Sequence, residues 1–425
     1  MTSVVLIKIT DLLSQIHPSI VTPTLVVVAV GLLSWIYMRV ARGKYDIDML
    51  NKIPGAYPLP VIGNAFDVAV PHHKFLNALK EISKRGPVVK FLLAHRPYVI
   101  LTKARGFETV LSSNKYLSKG PDYIFMRPWL GLGLLTSDGN KWHSRRKMLT
   151  PTFHFKILED FLIIMNEQSK ILNDKFSQLD SKVPVDIFPH ITYCALDIIC
   201  ESAMGKNVGA QFNSDSAYVK SIFEASDVIF HRQVSPWLWN TLIFWLHPDS
   251  RKFKKALSVL HGFTDKVIKE RKEIYKKTQK NKKDTNKEDD ELIGVKKRLA
   301  FLDMLISVSD DGKVLSDMDI REEVDTFMFE GHDTTAANMS FSLCLLAAHK
   351  DIQKRVQDEL DDIFGDDQDR AITSEDLNKM KFLECCLKES LRLFPSVPFM
   401  TRTIWEDTVI EVIFIFSLNS HCIST

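Results

Sequence analysis

The residues best placed to do chemistry lie in Phe327-Met328-Phe329-Glu330-Gly331-His332-Asp333-Thr334-Thr335-Ala336-Ala337, inside an apolar helical pattern running from Arg321 to His349. Glu330, Asp333 and Thr334 stand at i, i+3 and i+4, so they share one helix face. An acid beside an alcohol can pass a proton to a bound reactant, and the alcohol can compete for a backbone carbonyl and tilt or open the helix. Gly331 removes a side chain where a bulky group could lie against the backbone. A polar patch on a solvated helix turn is the plainer alternative, and His332-Asp333 as the metal dyad of a phosphohydrolase is a third. The dyad would need further ligands that His143 and His349 do not obviously supply.

Downstream, Phe382 to Pro395 reads as an amphipathic helix with Glu389 and Arg392 at i and i+3. A carboxylate and a guanidinium so spaced can pair and still reach a third partner, although pairs of this kind are common on surfaces. Upstream, Trp142 and Arg146 fall at i and i+4 in Trp142-His-Ser-Arg145-Arg146.

The elements that must carry these residues follow from periodicity. Val88–Leu93 and Tyr98–Thr102 read as strands, and apolar spacing of three and four predicts helices over 155–178, 190–205, 216–231, 250–277, 317–349 and 350–364. Strands gathered early and helices late predict a mainly α (α+β) architecture rather than a doubly wound sheet. The segment Lys276 to Arg298 holds nine Lys/Arg against five acids without an aromatic residue and reads as a solvated loop between helices. Trp237, Trp239 and Trp245 cluster within Pro236–Leu246, which suits either a membrane interface or a core.

Composition narrows the function classes. The 425 residues are 45% hydrophobic and 25% charged, the balance of a folded globular protein, and 55 Lys+Arg against 53 Asp+Glu leave only +2, which speaks against a nucleic-acid partner. Six scattered cysteines make no disulfide framework and no Cys-x-x-Cys pair, as in a reducing compartment. Ile20 to Met38 is 19 residues without a charge, long enough as a helix to cross a bilayer once. Arg39, Arg42 and Lys44 follow it, so the positive-inside rule places the body in the cytosol, behind the stiff connector Ile53-Pro54-Gly55-Ala56-Tyr57-Pro58-Leu59-Pro60.

Taken together, Glu330-Gly-His-Asp-Thr-Thr335, Glu389-Ser-Leu-Arg392-Leu-Phe-Pro395 and Trp142-x-x-x-Arg146 resemble the haem-thiolate monooxygenases, the cytochromes P450, over roughly residues 20 to 408. Glu330 before Gly331 is similar to their family 4. The resemblance implies the P450 fold with a small N-terminal β-sheet, a haem b cofactor, and NADPH- and O2-dependent hydroxylation of lipophilic substrates, fatty acids at or near the terminal carbon. It further implies a single-pass endoplasmic-reticulum membrane protein that takes electrons from NADPH-cytochrome P450 reductase. Asp333 and Thr334 would be the proton-delivering pair, and Glu330 the carboxylate that esterifies a haem methyl in much of family 4. Gly331 would leave room beside the cofactor. Trp142, Arg146 and Arg402 would bind haem propionates, and Glu389 and Arg392 would be structural.

The expected organisation is a short N-terminal segment (1–19), an anchor (20–38), a basic and proline-rich hinge (39–64), a partial catalytic domain (65–408) and a divergent tail (409–425). After Thr408 the motif resemblance fails, and Val409–Phe416 is an apolar run of high β propensity, an aggregation hazard if left as an edge. No cysteine has the Gly and Arg neighbours of the family's ligand loop, Cys422 included, so no metal ligand is assigned. The expectation is a truncated isoform or incomplete gene model, inactive as it stands and open along one wall, or else a non-catalytic membrane fragment that binds the reductase or a lipid.

Overall fold

In the computed structural model the described residues run from 50 to 424, except positions 60–61, 72–73, 95, 154, 181, 214–216, 285–300, 310–311, 313, 368, 411–412 and 416–420. Thirteen helices are used below: α1 (Phe75–Ser83), α2 (Ala104–Leu111), α3 (Gly139–Leu149), α4 (Phe155–Ser177), α5 (Phe188–Met204), α6 (Ala217–Val234), α7 (Thr241–Leu246), α8 (Pro248–Asp284), α9 (Phe301–Val308), α10 (Asp317–Ala348), α11 (Lys350–Phe364), α12 (Ser374–Lys379) and α13 (Lys381–Leu393). Strands β1 (Val88–Leu93), β2 (Arg96–Leu101), β3 (Met400–Thr403) and β6 (His421–Ser424) form one sheet in the order β1-β2-β6-β3, and β4 (Thr408–Ile410) pairs with β5 (Ile413–Ile415). The mainly α reading holds, and the apolar periodicities locate five of the six long helices to within a few residues of their ends, α8 alone running well past its expected end.

The main core lies between α5, α6, α8, α9 and α10. Helix α10 begins at Ser316, whose hydroxyl accepts from the Asp319 amide while the Asp319 side chain accepts from the Ser316 amide, so two of the end's unpaired donors are satisfied reciprocally. Its buried stripe of Ile320, Val324, Met328, His332 and Ala336 recurs every four residues and faces the bundle. Helix α5 stops at Gly205, which takes the left-handed conformation (φ +65°) and lets the amides of Gly205 and Lys206 bond back to Glu201 and Cys200.

Strand β1 is buried along its whole length because both faces are covered. Val88 and Leu92 belong to one apolar cluster, while Val89, Phe91 and Leu93 belong to another. A strand buried on both faces reads as a continuous apolar run, which is how Val88–Leu93 appears in the sequence. Lys90 fits because its ammonium donates to Asn51 Oδ1 at 2.8 Å.

The structure alters three expectations. Strands are not confined to the early chain, since β3 and β6 return some three hundred residues later to complete the sheet; pairing between strands so far apart leaves no local trace. The tail supplies an interior strand, with His421–Ser424 parallel to β2 on one side and antiparallel to β3 on the other. Lys276 to Asp284 are helical, the end of α8, because propensity carries a long helix through charged residues once its earlier turns are packed. Among the described residues no helix is long and apolar enough to cross a membrane, and the anchor expected over 20–38 lies outside them.

One backbone approach decides the geometry of the site. The segment Ser118–Gly120 runs beside β3, with Gly120 N–H donating to Thr401 O at 3.2 Å and Thr403 N–H to Ser118 O at 2.9 Å. A Cβ on Gly120 would collide with Thr401 Oγ1 and Cβ, atoms fixed to the strand. Gly120→Ala should therefore lower stability by about 2 kcal/mol, read as a reduced midpoint in urea, whereas Gly262→Ala, where a Cβ meets nothing, should not lower it.

Candidate active site

Helix α3 reaches the site through its charges. Arg145, buried, places Nη2 2.5 Å from Asp319 Oδ1 and Nε 3.9 Å from Glu323 Oε1, and Lys141 places Nζ 2.7 Å from Glu322 Oε2 and 3.6 Å from Asp319 Oδ1. Glu323 also accepts the Leu134 amide at 3.0 Å, tying the preceding loop to the same turn of α10. Trp142, half-buried, and Arg146, exposed, take no part in this clamp. The Trp142-x-x-x-Arg146 spacing singles out Arg146 and gives Arg145 no role; the structure gives Arg145 to α10 and leaves Arg146 outside the clamp.

The Ser118–Gly120 segment sets Lys119 opposite Arg402 in an antiparallel bridge. Lys119 Nζ lies 5.9 Å from the ring centroids of both Tyr123 and Trp142, and the charge of Arg402 opposes the upward push that burial gives the Tyr123 hydroxyl. Burial lowers the affinity of the Lys119 ammonium for its proton and Arg402 adds to the effect, while Asp138 and Glu330 act the other way. Trp142, Arg402 and Glu330 are therefore brought together by the fold, and Lys119 and Tyr123 join them without having been found in the sequence. Nothing in Ser118-Lys119-Gly120 marks it as a site, because its partners are far along the chain. Arg402 itself donates from Nη1 to Thr401 O at 3.0 Å.

On α10 the acid and alcohol occupy an unbroken helix. Thr334 Oγ1 donates to Glu330 O at 2.8 Å and Thr335 Oγ1 to Gly331 O at 3.0 Å, so the alcohols bond back to the preceding turn without opening it. Ser396 Oγ donates to Thr334 O at 2.8 Å, anchoring the segment after α13 at this position. Gly331 is the point of contact with α5: a Cβ there would stand 2.7 Å from Ile199 Cδ1, so the bulky group beside this glycine is an isoleucine of the protein. His332 is buried, with Nδ1 bonded to Met328 O. Burial pushes the Glu330 carboxyl up to about 7, opposed by Lys119, and pushes the Asp333 carboxyl above its usual range, opposed by His332.

Glu389 and Arg392 form two bonds of 2.7 Å, with side chains 54% and 66% exposed. Phe341, Leu343, Leu391 and Phe394 are also exposed, on the C-terminal half of α10 and at the end of α13. Among the described residues there is no group of three or more His, Cys, Asp or Glu side chains placed to hold a metal ion.

Comparison with known proteins assigns the family. A sequence model described as Cytochrome P450 matches residues 53–417, most of the chain. This protein belongs to the cytochrome P450 family. By family it is a monooxygenase, an oxidoreductase. The chain is 48% identical over 371 residues to human Cytochrome P450 4V2, covering 86% of this chain and 70% of that protein. It is 45% identical over 370 residues to Cytochrome P450 4c3 of Drosophila melanogaster, covering 85% and 69%. Cytochrome P450 4c21 of Blattella germanica is 44% identical over 368 residues, covering 86% and 72%. The family match extends nine residues past Thr408, where the motif resemblance ends, and so takes in β4 and β5 of the P450 fold.

The buried carboxyls of α10 give this P450 a pH signature. Glu323, Asp325 and Glu330 are each pushed up to about 7 by burial, from ordinary values of 4.5, 3.8 and 4.5. Between the unfolded and folded values the native state holds protons that the unfolded chain has released, so stability falls as pH rises from about 5 to about 7 and levels off above. Glu330→Gln, uncharged throughout, should flatten that slope when unfolding free energies in urea are compared at several pH values, and an unchanged slope would contradict the assignment of Glu330.

Proposed function

We propose that the site on α10 is the distal, oxygen-activating side of a haem pocket, and that the protein's reaction is hydroxylation of a lipophilic substrate, a fatty acid at or near its terminal carbon. The observation that carries this reading is the meeting of Lys119, Arg402, Tyr123 and Trp142 beside Glu330, with Asp333 and Thr334 one turn further along. Two cations side by side in a half-buried place suit the paired carboxylates at one edge of haem, so the residues present fit the group. Trp142, Arg146 and Arg402 would hold it by its propionates. Gly331 contributes by letting α10 lie close to α5. Haem, when bound, supplies the activation of dioxygen.

This chain's own residues supply the rest. Asp333, pushed up by burial, keeps a proton on its carboxyl closer to neutrality than a solvated aspartate does. Thr334 spends its hydroxyl hydrogen on Glu330 O, leaving lone pairs on Oγ1 to accept a bond and orient a reactant. Glu330 would take the role of the esterifying carboxylate of family 4. Glu389 and Arg392 brace α13.

In the same reading residues 20–38 anchor the chain in the endoplasmic-reticulum membrane, 39–64 form the hinge, 65–408 the catalytic body and 409–425 the tail, and NADPH-cytochrome P450 reductase is the electron donor. The exposed side chains of Trp237, Leu242, Ile243, Trp245 and Leu246 support the membrane-interface alternative for this cluster, while Trp239 packs against the core.

A second reading applies to the polypeptide 1–425 on its own, because none of its six cysteines has the surroundings of the family's ligand loop. Cys194 and Cys200 are buried in α5, and burial pushes the Cys194 thiol up to about 12 and the Cys200 thiol well above its ordinary range, opposite to what a thiolate ligand needs. Expressed alone with a haem precursor, this polypeptide should give no thiolate-type Soret band in a reduced carbon-monoxide difference spectrum. The substrate assignment is tested by joining residues 1–410 to the ligand-loop portion of human Cytochrome P450 4V2 and supplying reductase, NADPH and lauric or longer acids. Terminal or near-terminal hydroxy acids are expected, with Asp333→Asn lowering turnover about 100-fold. No hydroxylated product from any chain length would remove the assignment.

A further inference from the structure

We propose that Arg232, at the end of α6, is the head-group anchor for substrate: its guanidinium receives the carboxylate of a long-chain fatty acid whose far end reaches α10. This inference rests on the fatty-acid reading above and adds to it a specificity-determining residue that no motif marks.

Arg232 is only 8% exposed, and its charge is met by aromatic faces rather than by a carboxylate. The guanidinium carbon lies 4.1 Å from the ring centroid of Phe244 on α7 and 4.9 Å from that of Phe125, in the turn Pro121–Phe125. Nε donates to Leu238 O at 3.0 Å and so holds the turn Pro236–Leu238. Nη1 and Nη2 meet no hydrogen-bond acceptor among the described residues, and neither is sealed from solvent as Nη1 of Arg96 is. No described carboxylate pairs with Arg232, and burial lowers the affinity of the guanidinium for its proton with no acid opposing it.

Arg96 supplies the contrast. Its guanidinium lies 3.9 Å from the Trp239 ring and 6.0 Å from that of Phe125, but Asp122 Oδ1 stands 3.8 Å from its Nη1. Asp122 also accepts the Tyr98 hydroxyl at 2.8 Å, so the acid is committed to that side. Two guanidiniums share the Phe125 ring, and only one of them has a carboxylate. A buried cation without an anion is costly, and aromatic contact recovers part of the cost. An added carboxylate would recover more, through charge-assisted bonds to Nη1 and Nη2.

The placement suits a fatty acid. At the other end of α6 the Tyr218 hydroxyl meets Met328 Sγ at 3.8 Å, two residues before Glu330 on α10. Tyr218 and Arg232 are about 21 Å apart along α6 at the ordinary rise of a helix. A head group held at Arg232 therefore stands at the far end of α6 from the contact with α10, which leaves the other end of a long chain to approach Asp333 and Thr334. Helix α7, whose Phe244 covers Arg232, turns Leu242, Ile243, Trp245 and Leu246 outward, a surface along which an apolar acid can arrive.

The test titrates the polypeptide 1–425, in a nonionic maltoside free of phospholipid, with palmitate, methyl palmitate and hexadecanol, reading tryptophan emission. The wild type should bind palmitate about tenfold more tightly than either uncharged probe. Arg232→Gln should weaken palmitate about tenfold and leave the uncharged probes unchanged, and Arg232→Lys should keep most of the preference. Arg232→Met, which fills the space between the two rings without a charge, should behave as Arg232→Gln does and serves where that variant does not fold. Arg96→Gln should leave the preference in place. A preference for palmitate that survives in Arg232→Gln or Arg232→Met would overturn the inference while leaving the fatty-acid reading intact. If those variants instead lose only binding to phosphatidylglycerol vesicles, Arg232 belongs to a lipid phosphate and the inference is overturned. Equal weakening of all three probes would also overturn it, since that marks a merely structural role. A wild type that binds none of the three would overturn the fatty-acid reading and this inference with it.

Discussion

The ion-pair clamp between α3 and α10 is the interaction on which the rest of the site depends. Arg145 and Lys141 meet Asp319, Glu322 and Glu323 within two turns of α10, with Arg145 and Glu323 almost fully removed from water. A buried guanidinium is tolerated only where carboxylates and hydrogen bonds meet it, and this requirement fixes the rotation of α3 on α10 more narrowly than apolar contact would. Once the rotation is set, so is the face of α3 that Trp142 and Arg146 share. The same turn of α10 fixes the loop before α3, through the Leu134 amide on Glu323 and the close contact of Gly133 with Thr326.

A second constraint is the density of ionisable groups along one helix. Glu323, Asp325, Glu330, His332 and Asp333 all lie on α10, and burial works against the charged form of each. Asp325 is steadied by the Thr264 hydroxyl at 2.6 Å and Glu323 by Arg145, whereas Glu330 and Asp333 have weaker compensation. Their carboxyls therefore keep protons to higher pH than solvated carboxyls do.

How far the sequence discloses this depends on the range of the interactions. The six long helices are legible because their apolar stripes are local, and β1 and β2 because an apolar run bounded by turns is local too. The acid and alcohol of α10 stand out as polar residues in an apolar helix. The completion of the sheet by β3 and β6, the placing of Lys119 against Arg402 and the pairing of Arg145 with Asp319 are not legible, since each depends on partners far away in the chain. Gly331 shows the same limit: its missing side chain signals a close approach, but only the fold identifies Ile199 as what approaches.

The claim that paired charges, rather than apolar burial alone, hold α3 in place is tested most directly by a double-mutant cycle on Arg145→Met and Asp319→Asn, with unfolding free energy in urea as the readout. The account predicts that the two substitutions are strongly non-additive, with a coupling of about 1 to 3 kcal/mol. Additivity to within about 0.5 kcal/mol would contradict it and leave the orientation of Trp142 and Arg146 without its cause.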